Sequence, residues 1–215
     1  MTTIALVTEG ITDQVFLERV LIGLYGKEIE VAYVQPAVDE TDKNVQEGWG
    51  GWENVFEYFK NPSALEEIFY ANEYVVIQID TDCCEHKNFG VSYKCDGADR
   101  SIKELIEAVR EKLIEKIGVD AFKKREEKIY FAISVHSLEC WLLPLFGNKK
   151  ADITRVANCA DKLNMLLTIA DHNYMKDAPT YIEICKGMLK RTNINLCAKK
   201  SESFGLFISS LPNTL

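Results

Sequence analysis

Two aspartates, Asp80 and Asp82, close the apolar run Tyr74-Val-Val-Ile-Gln-Ile, and acids so spaced can do chemistry. Side chains at i and i+2 of an extended segment point the same way, which predicts the two carboxylates side by side where a strand leaves its sheet. Carboxylates held ~4 Å apart repel by about 4 kcal/mol at an effective dielectric of ~20, so such a pair shares a proton or binds a divalent cation. Oxygen-only ligands favour Mg2+ or Mn2+. The alternative for both residues is loop capping through Asx turns.

Other acids take comparable places. Glu9-Gly10 follows the short apolar stretch Ile4–Val7, and glycine allows a tight turn that leaves the glutamate free at a strand end. Its plainer role is compensation of the dipole of the following helix, a role that suits Asp13 better. Glu139 stands within Leu138-Glu-Cys-Trp-Leu-Leu143, where an unpaired charge is costly, so a metal, a lysine or a shared proton must be near. His136 suits a proton carrier or a satisfied core histidine. Cys83, Cys84, His86 and Cys95 have no spacing that a structural zinc site requires.

The elements that must position these groups alternate. Ile4–Val7 reads as a buried strand, and Thr12 as the cap of a helix carrying Val15, Phe16, Leu17, Val20, Leu21 and Leu24. A second strand is expected over Ile29–Val34, a polar loop over Pro36–Gly51, helix over Trp52–Phe59 and Leu65–Tyr70, and a third strand ending at Asp80. The irregular segment Cys83–Asp99 precedes an amphipathic helix from Ser101 to Ile117, and Ile129–Val135 is a fourth strand. Helical stripes at Val156–Leu167, Thr180–Leu189 and Phe204–Leu211 follow. Alternation of this kind implies a mainly parallel sheet covered on both faces, with ligands at the carboxyl ends of its strands. Glu9, Asp80, Asp82, His136 and Glu139 all fall there.

Composition bounds the rest. The 215 residues, 47% apolar, suffice for one sizeable core with an appended lobe, divided here as an α/β domain over 1–147 and a helical C-terminal extension over 148–215. No apolar run reaches the ~20 residues of a membrane helix and no basic signal start is evident, which reads as a cytoplasmic protein without a membrane partner. Seven cysteines without CxxC spacing argue for reduced thiols, with Cys140, Cys159, Cys185 and Cys197 simply buried. A net charge of −8 opposes long-range attraction of nucleic acid. Lys123-Lys124-Arg125, Lys149-Lys150, Lys186–Arg191 and Lys199-Lys200 are either a local basic track or solvated helix ends. Trp49 and Trp52 suit base stacking, and packing of the following helix suits them better.

The ordered pair Glu9-Gly10-x-Thr12-Asp13 after the first strand and Asp80-x-Asp82 after the third resembles the Toprim domain of topoisomerases, primases and OLD-type nucleases, over roughly residues 1–145. His136-Ser-Leu-Glu139-Cys-Trp141 and Gly48-Trp-Gly-Gly-Trp52 look like features of compact stand-alone Toprim-like proteins. The resemblance implies a Toprim-like (Rossmann-like) fold, a Mg2+-dependent (or Mn2+-dependent) nuclease acting on DNA or RNA, and a place in phage defence. It implies Glu9 as general acid/base and metal ligand and Asp80 and Asp82 as metal ligands; Glu139, read from its apolar setting, joins them as a further catalytic acid. Glu85 is a loose candidate for the additional acid many relatives carry, and Lys199 or Lys200 for a lysine reaching a phosphate. A scaffold without turnover, binding a partner protein or a nucleotide, is the alternative. A dehalogenase-type phosphatase is disfavoured, since its nucleophilic aspartate should stand where Glu9-Gly10 does.

Overall fold

A computed structural model describes residues 1–37, 51–147, 157–169 and 175–214. Trp49 and Lys149-Lys150 lie outside the described residues, as do most of the expected polar loop and the start of the Val156–Leu167 stripe.

Four strands form one parallel sheet: β1 (Thr2–Val7), β2 (Ile29–Gln35), β3 (Tyr74–Asp80) and β6 (Ile129–Ser134), in the order β2-β1-β3-β6. Each is short, apolar and rich in β-branched residues, as strands buried on both faces must be. Between them run α1 (Ile11–Tyr25), α2 (Trp52–Tyr58), α3 (Ala64–Ala71), α4 (Ile102–Ile117) and α5 (Val119–Lys123). The segment after β3 folds by turns and carries a small antiparallel pair, β4 (Lys94–Cys95) with β5 (Ala98–Asp99). The chain after β6 is helical where described: α6 (Glu139–Phe146), α7 (Cys159–Ile169), α8 (Ala178–Ile184), α9 (Arg191–Lys200) and α10 (Glu202–Ser210). Among the described residues no helix is long and apolar enough to cross a membrane.

Strand alternation divides the interior in two. Ile4, Leu6, Val76 and Ala132 face α1 and the C-terminal helices, where Trp141, Tyr181 and Phe204 are fully buried. Ala5, Val7, Val75, Ile77, Ile79 and Ile133 face α2 to α5. The parity decides where the polar ends of the strands point. Gln78 and Asp80 continue the row of Val76, and Ser134 continues that of Ala132, so all three turn toward α1 and the C-terminal helices. The C-terminal helices therefore share a core with α1.

Three expectations need correction. Thr12 is buried inside α1 and caps nothing; the helix starts at Ile11 with Gly10 before it, so Asp13 and Gln14 donate their backbone N–H groups to the Gly10 carbonyl. Arg191–Lys200 is a helix that the apolar pattern misses, because only Ile194 and Cys197 in it are buried. Cys140 and Cys159 are not reduced: they form a disulfide that ties α6 to α7. The nineteen residues separating them in sequence give no spacing signal, and only the packing of α6 on α7 brings their Cα atoms to 5.0 Å. The remaining five cysteines are free thiols.

Candidate active site

The carboxyl rim of the sheet gathers acids from separate segments. Glu9 leaves β1, and its Oε1 accepts the backbone N–H of Asp80 at 2.7 Å. Gln78 links the same two residues from below: its Oε1 accepts the Glu9 N–H at 3.1 Å and its Nε2 donates to Asp80 Oδ1 at 2.8 Å. Ser134, at the end of β6, donates to the same Asp80 oxygen at 2.7 Å. Asp80 is thereby buried and fixed in orientation by two donors.

Glycines open room around Glu9. Gly51 has φ +100, and a Cβ there would stand 3.3 Å from Glu9 Oε2. Only glycine meets both demands without strain. At Gly10 the backbone is extended, so the reason for glycine is approach rather than turn geometry: a Cβ would lie 3.3 Å from Asp13 Oδ2. Asp13 is thus drawn into the cluster from the first turn of α1, where it is buried.

Glu139 begins α6 and is fully buried, and the lysine that its charge requires is Lys176, whose Nζ lies 3.0 Å from Oε1. The buried Tyr181 hydroxyl donates to that same oxygen at 2.7 Å. Sequence reasoning missed both partners. Lys176 lies just before α8, outside any apolar stripe, and Tyr181 reads as an ordinary core aromatic of that helix. The lysine at the cluster is therefore Lys176, whereas Lys199 and Lys200 close α9.

The electrostatics follow from this crowding. Burial pushes the Glu9 carboxyl up to about 8, helped by the charges of Asp13 and Asp82 and opposed by the Asp80 N–H and by Lys176. Burial pushes Asp13 up to about 7, with Lys176 opposing and Glu139 adding to it. Asp80 is raised well above the usual aspartate range by burial and by the charges of Glu9, Asp13 and Glu139. For Glu139 burial works upward too, yet Lys176 and the side chains of Ser137 and Tyr181 hold it below the ordinary value. Burial disfavours the Lys176 ammonium, but Glu139 and Asp13 hold its proton more tightly than usual. A site with more buried negative charge than Lys176 can offset keeps protons or takes up a cation.

The other candidates sit around this centre. Asp82 is not on extended backbone: β3 ends at Asp80, Thr81 opens a turn closed by the Cys84 N–H, and Asp82 is exposed. The side-by-side pairing expected of i and i+2 strand positions is replaced by a buried acid and an exposed one, and Asp82 acts on Glu9 and Asp13 by charge. His136 adopts φ +66 and is pinned by backbone, its N–H donating to Thr81 Oγ1 at 2.8 Å and its carbonyl accepting from Thr81 and Asp82. Burial lowers its ring pKa, Asp82 opposes, and Lys162 adds to the lowering. Glu85 serves as a loop clasp, its Oε1 accepting from Ser92 Oγ and the Tyr93 N–H. Trp52 packs against Phe56, His86 and Phe89, in keeping with the packing role. Arg125 pairs with Glu66 and Lys186 with Glu183, as solvated helix ends do.

Among the described residues no three His, Cys, Asp or Glu side chains converge at ligand spacing around one point. The donors nevertheless suit a hard divalent cation: they are all oxygens, they repel one another, and Glu139 Oε2 is buried and meets no donor in hydrogen-bond geometry among the described residues. The chain matches no family model, no curated protein and no solved structure.

Proposed function

We propose that this chain is a Toprim-like, divalent-metal-dependent phosphodiesterase that cleaves DNA or RNA. One observation carries the reading: Glu9 and Asp13 from the β1–α1 connection, Asp80 from the end of β3 and Glu139 from the start of α6 meet at the carboxyl rim of a parallel sheet with their negative charge left largely uncompensated. Such rims are where α/β sheets bind their ligands.

Glu9, Asp80 and Asp82 would hold the cation, with Glu139 as a further acid beside them. A bound Mg2+ or Mn2+ supplies an activated water and offsets charge on the phosphate oxygens. The chain's own groups supply the rest. Glu9, at the exit of β1 with its Oε1 held by the Asp80 N–H, would take a proton from the attacking water and return it to the leaving oxygen. Gln78 and Ser134 hold Asp80 in one orientation, so its charge is aimed before substrate arrives. Lys176 pairs with Glu139 beside the acids and, with its side chain part exposed, can meet a phosphate oxygen.

The test is direct. Purified chain is incubated with labelled DNA and RNA, with Mg2+, Mn2+ or chelator, beside Asp80→Asn. Cleavage that needs both the metal and Asp80 is the expected result. Tight association with partner or nucleotide that ignores both metal and Asp80, without any cleavage, would replace the proposal with the scaffold reading.

A further inference from the structure

Lys176 holds an unusual position for a lysine. Its ammonium lies 3.0 Å from Glu139 Oε1 and acts by charge on Glu9, Asp13 and Asp80 as well. The side chain as a whole is 57% exposed. Helix α8 does not use the ammonium, since it is started by Asp177, whose side chain accepts the Thr180 N–H, and by Pro179 in its first turn. The cap of α8 therefore does not hold the ammonium in place.

Glu139 is the counterpart. Oε1 takes two donors, Tyr181 and Lys176, while Oε2 is buried and meets no donor in hydrogen-bond geometry among the described residues. A buried carboxylate oxygen without a donor is costly and calls for a ligand. The acid is thus half occupied, and by a group of single charge.

We propose that Lys176 is the site's own counter-ion, occupying by its ammonium the charge position that a divalent cation takes, so that metal binding and the Lys176–Glu139 pair exclude one another. This rests on the metal-dependent reading above. Two charges of the same sign cannot share a part-buried pocket cheaply, since at ~4 Å and an effective dielectric of ~20 a single pair of unit charges already repels by about 4 kcal/mol. With the lysine in place, Glu139 is turned to it and the acids do not converge; with the lysine swung to solvent, Glu139 offers both oxygens. Lys176 then sets how tightly the site holds its metal, and by reciprocity the metal sets where Lys176 points.

The experiment measures Mn2+ binding to chelator-treated chain by electron paramagnetic resonance and calorimetry, for wild type, Lys176→Met and Lys176→Arg. The expected result is tighter binding by about tenfold or more in Lys176→Met, with Lys176→Arg staying near wild type because the charge remains. Equal or weaker binding in a folded Lys176→Met overturns the inference while leaving the metal reading intact. Absence of Mn2+ binding in all three overturns the metal reading and this inference with it. A second measurement covers failure of Lys176→Met to fold. In wild-type chain with 13C-methylated lysines, the Lys176 signal, identified by its loss in Lys176→Arg, should move toward the position of solvated lysines as Mg2+ is added. A Lys176 signal that stays fixed while Mg2+ binds would overturn the inference equally.

Discussion

The Glu9 carboxylate receives the backbone N–H of Asp80 at 2.7 Å, although 71 positions of sequence separate the two residues. Parallel pairing of β1 with β3 makes that contact, and it sets one acid at the exit of each strand. Glu9→Gln keeps an acceptor for the N–H and removes the charge. It should leave the fold intact by circular dichroism and reduce metal-dependent cleavage by about two orders of magnitude or more. Full cleavage by a folded Glu9→Gln would remove Glu9 from the chemistry.

Stability should depend on pH in a definite direction. Glu9 moves from an ordinary 4.5 to about 8 in the folded chain, and Asp13 from 3.8 to about 7. Between roughly pH 4 and 8 the unfolded chain has lost protons that the folded chain keeps, so stability declines as pH rises through that window. In chelator, Tm should fall by several degrees from pH 5 to pH 8, at about 2–4 °C per kcal/mol for a chain of this size. Glu9→Gln or Asp13→Asn should flatten the decline, and a rising Tm over the same range would contradict the buried, like-charged arrangement.

Gly51→Ala tests the room made for Glu9. The substitution must adopt φ +100 and bring a methyl to 3.3 Å from Glu9 Oε2. An expected loss of about 1–2 kcal/mol of stability should accompany a drop in turnover, since the carboxylate itself must move. Thermal melts and cleavage rates measured together check this; an unchanged rate would mean that Glu9 tolerates displacement.

Ser203→Ala tests the tie between the C-terminal helices and the rim. Ser203 Oγ accepts the buried Trp141 Nε1–H at 2.8 Å, and the Val135 N–H points to it from the end of β6. Leaving an indole N–H unsatisfied in the core costs about 1–3 kcal/mol. Tm should fall accordingly while Mn2+ affinity stays unchanged.

Thiol titration in denaturant should find five reactive cysteines before reduction and seven after it. Loss of the Cys140–Cys159 link should cost about 3 kcal/mol, the order that chain-entropy arguments give for a loop of this length. Seven reactive thiols without reductant would show that α6 and α7 are not covalently joined.

The sheet and half of the acid cluster were legible in the sequence because local pattern determines them. β1, β3 and β6 are continuous apolar runs, and the strand-end rule then places Glu9 and Asp80 on one rim without further information. Glu139 announced itself by its apolar neighbours, which demanded a partner without naming one. That partner was hidden because Lys176 comes from a polar stretch ahead of α8, where no periodicity records a contact made 37 residues away in sequence. The same holds for the disulfide and for Ser134, each a matter of packing between elements. Asp82 misled for a different reason: the i, i+2 argument assumes extended backbone, and the Thr81–Cys84 turn withdraws that assumption at the decisive residue.

Strand parity joins the two roles of β3 in a way that constrains how this chain can change. Val76, Gln78 and Asp80 occupy one row, Val75, Ile77 and Ile79 the other. A single residue inserted ahead of Gln78 would exchange the faces of the residues after it, turning Gln78 and Asp80 toward the side of α2 to α5 and sending Ile79 to the side of α1. Insertions there are tolerable only in twos, so the reading frame of the pleat guards the chemistry as strictly as it guards the core.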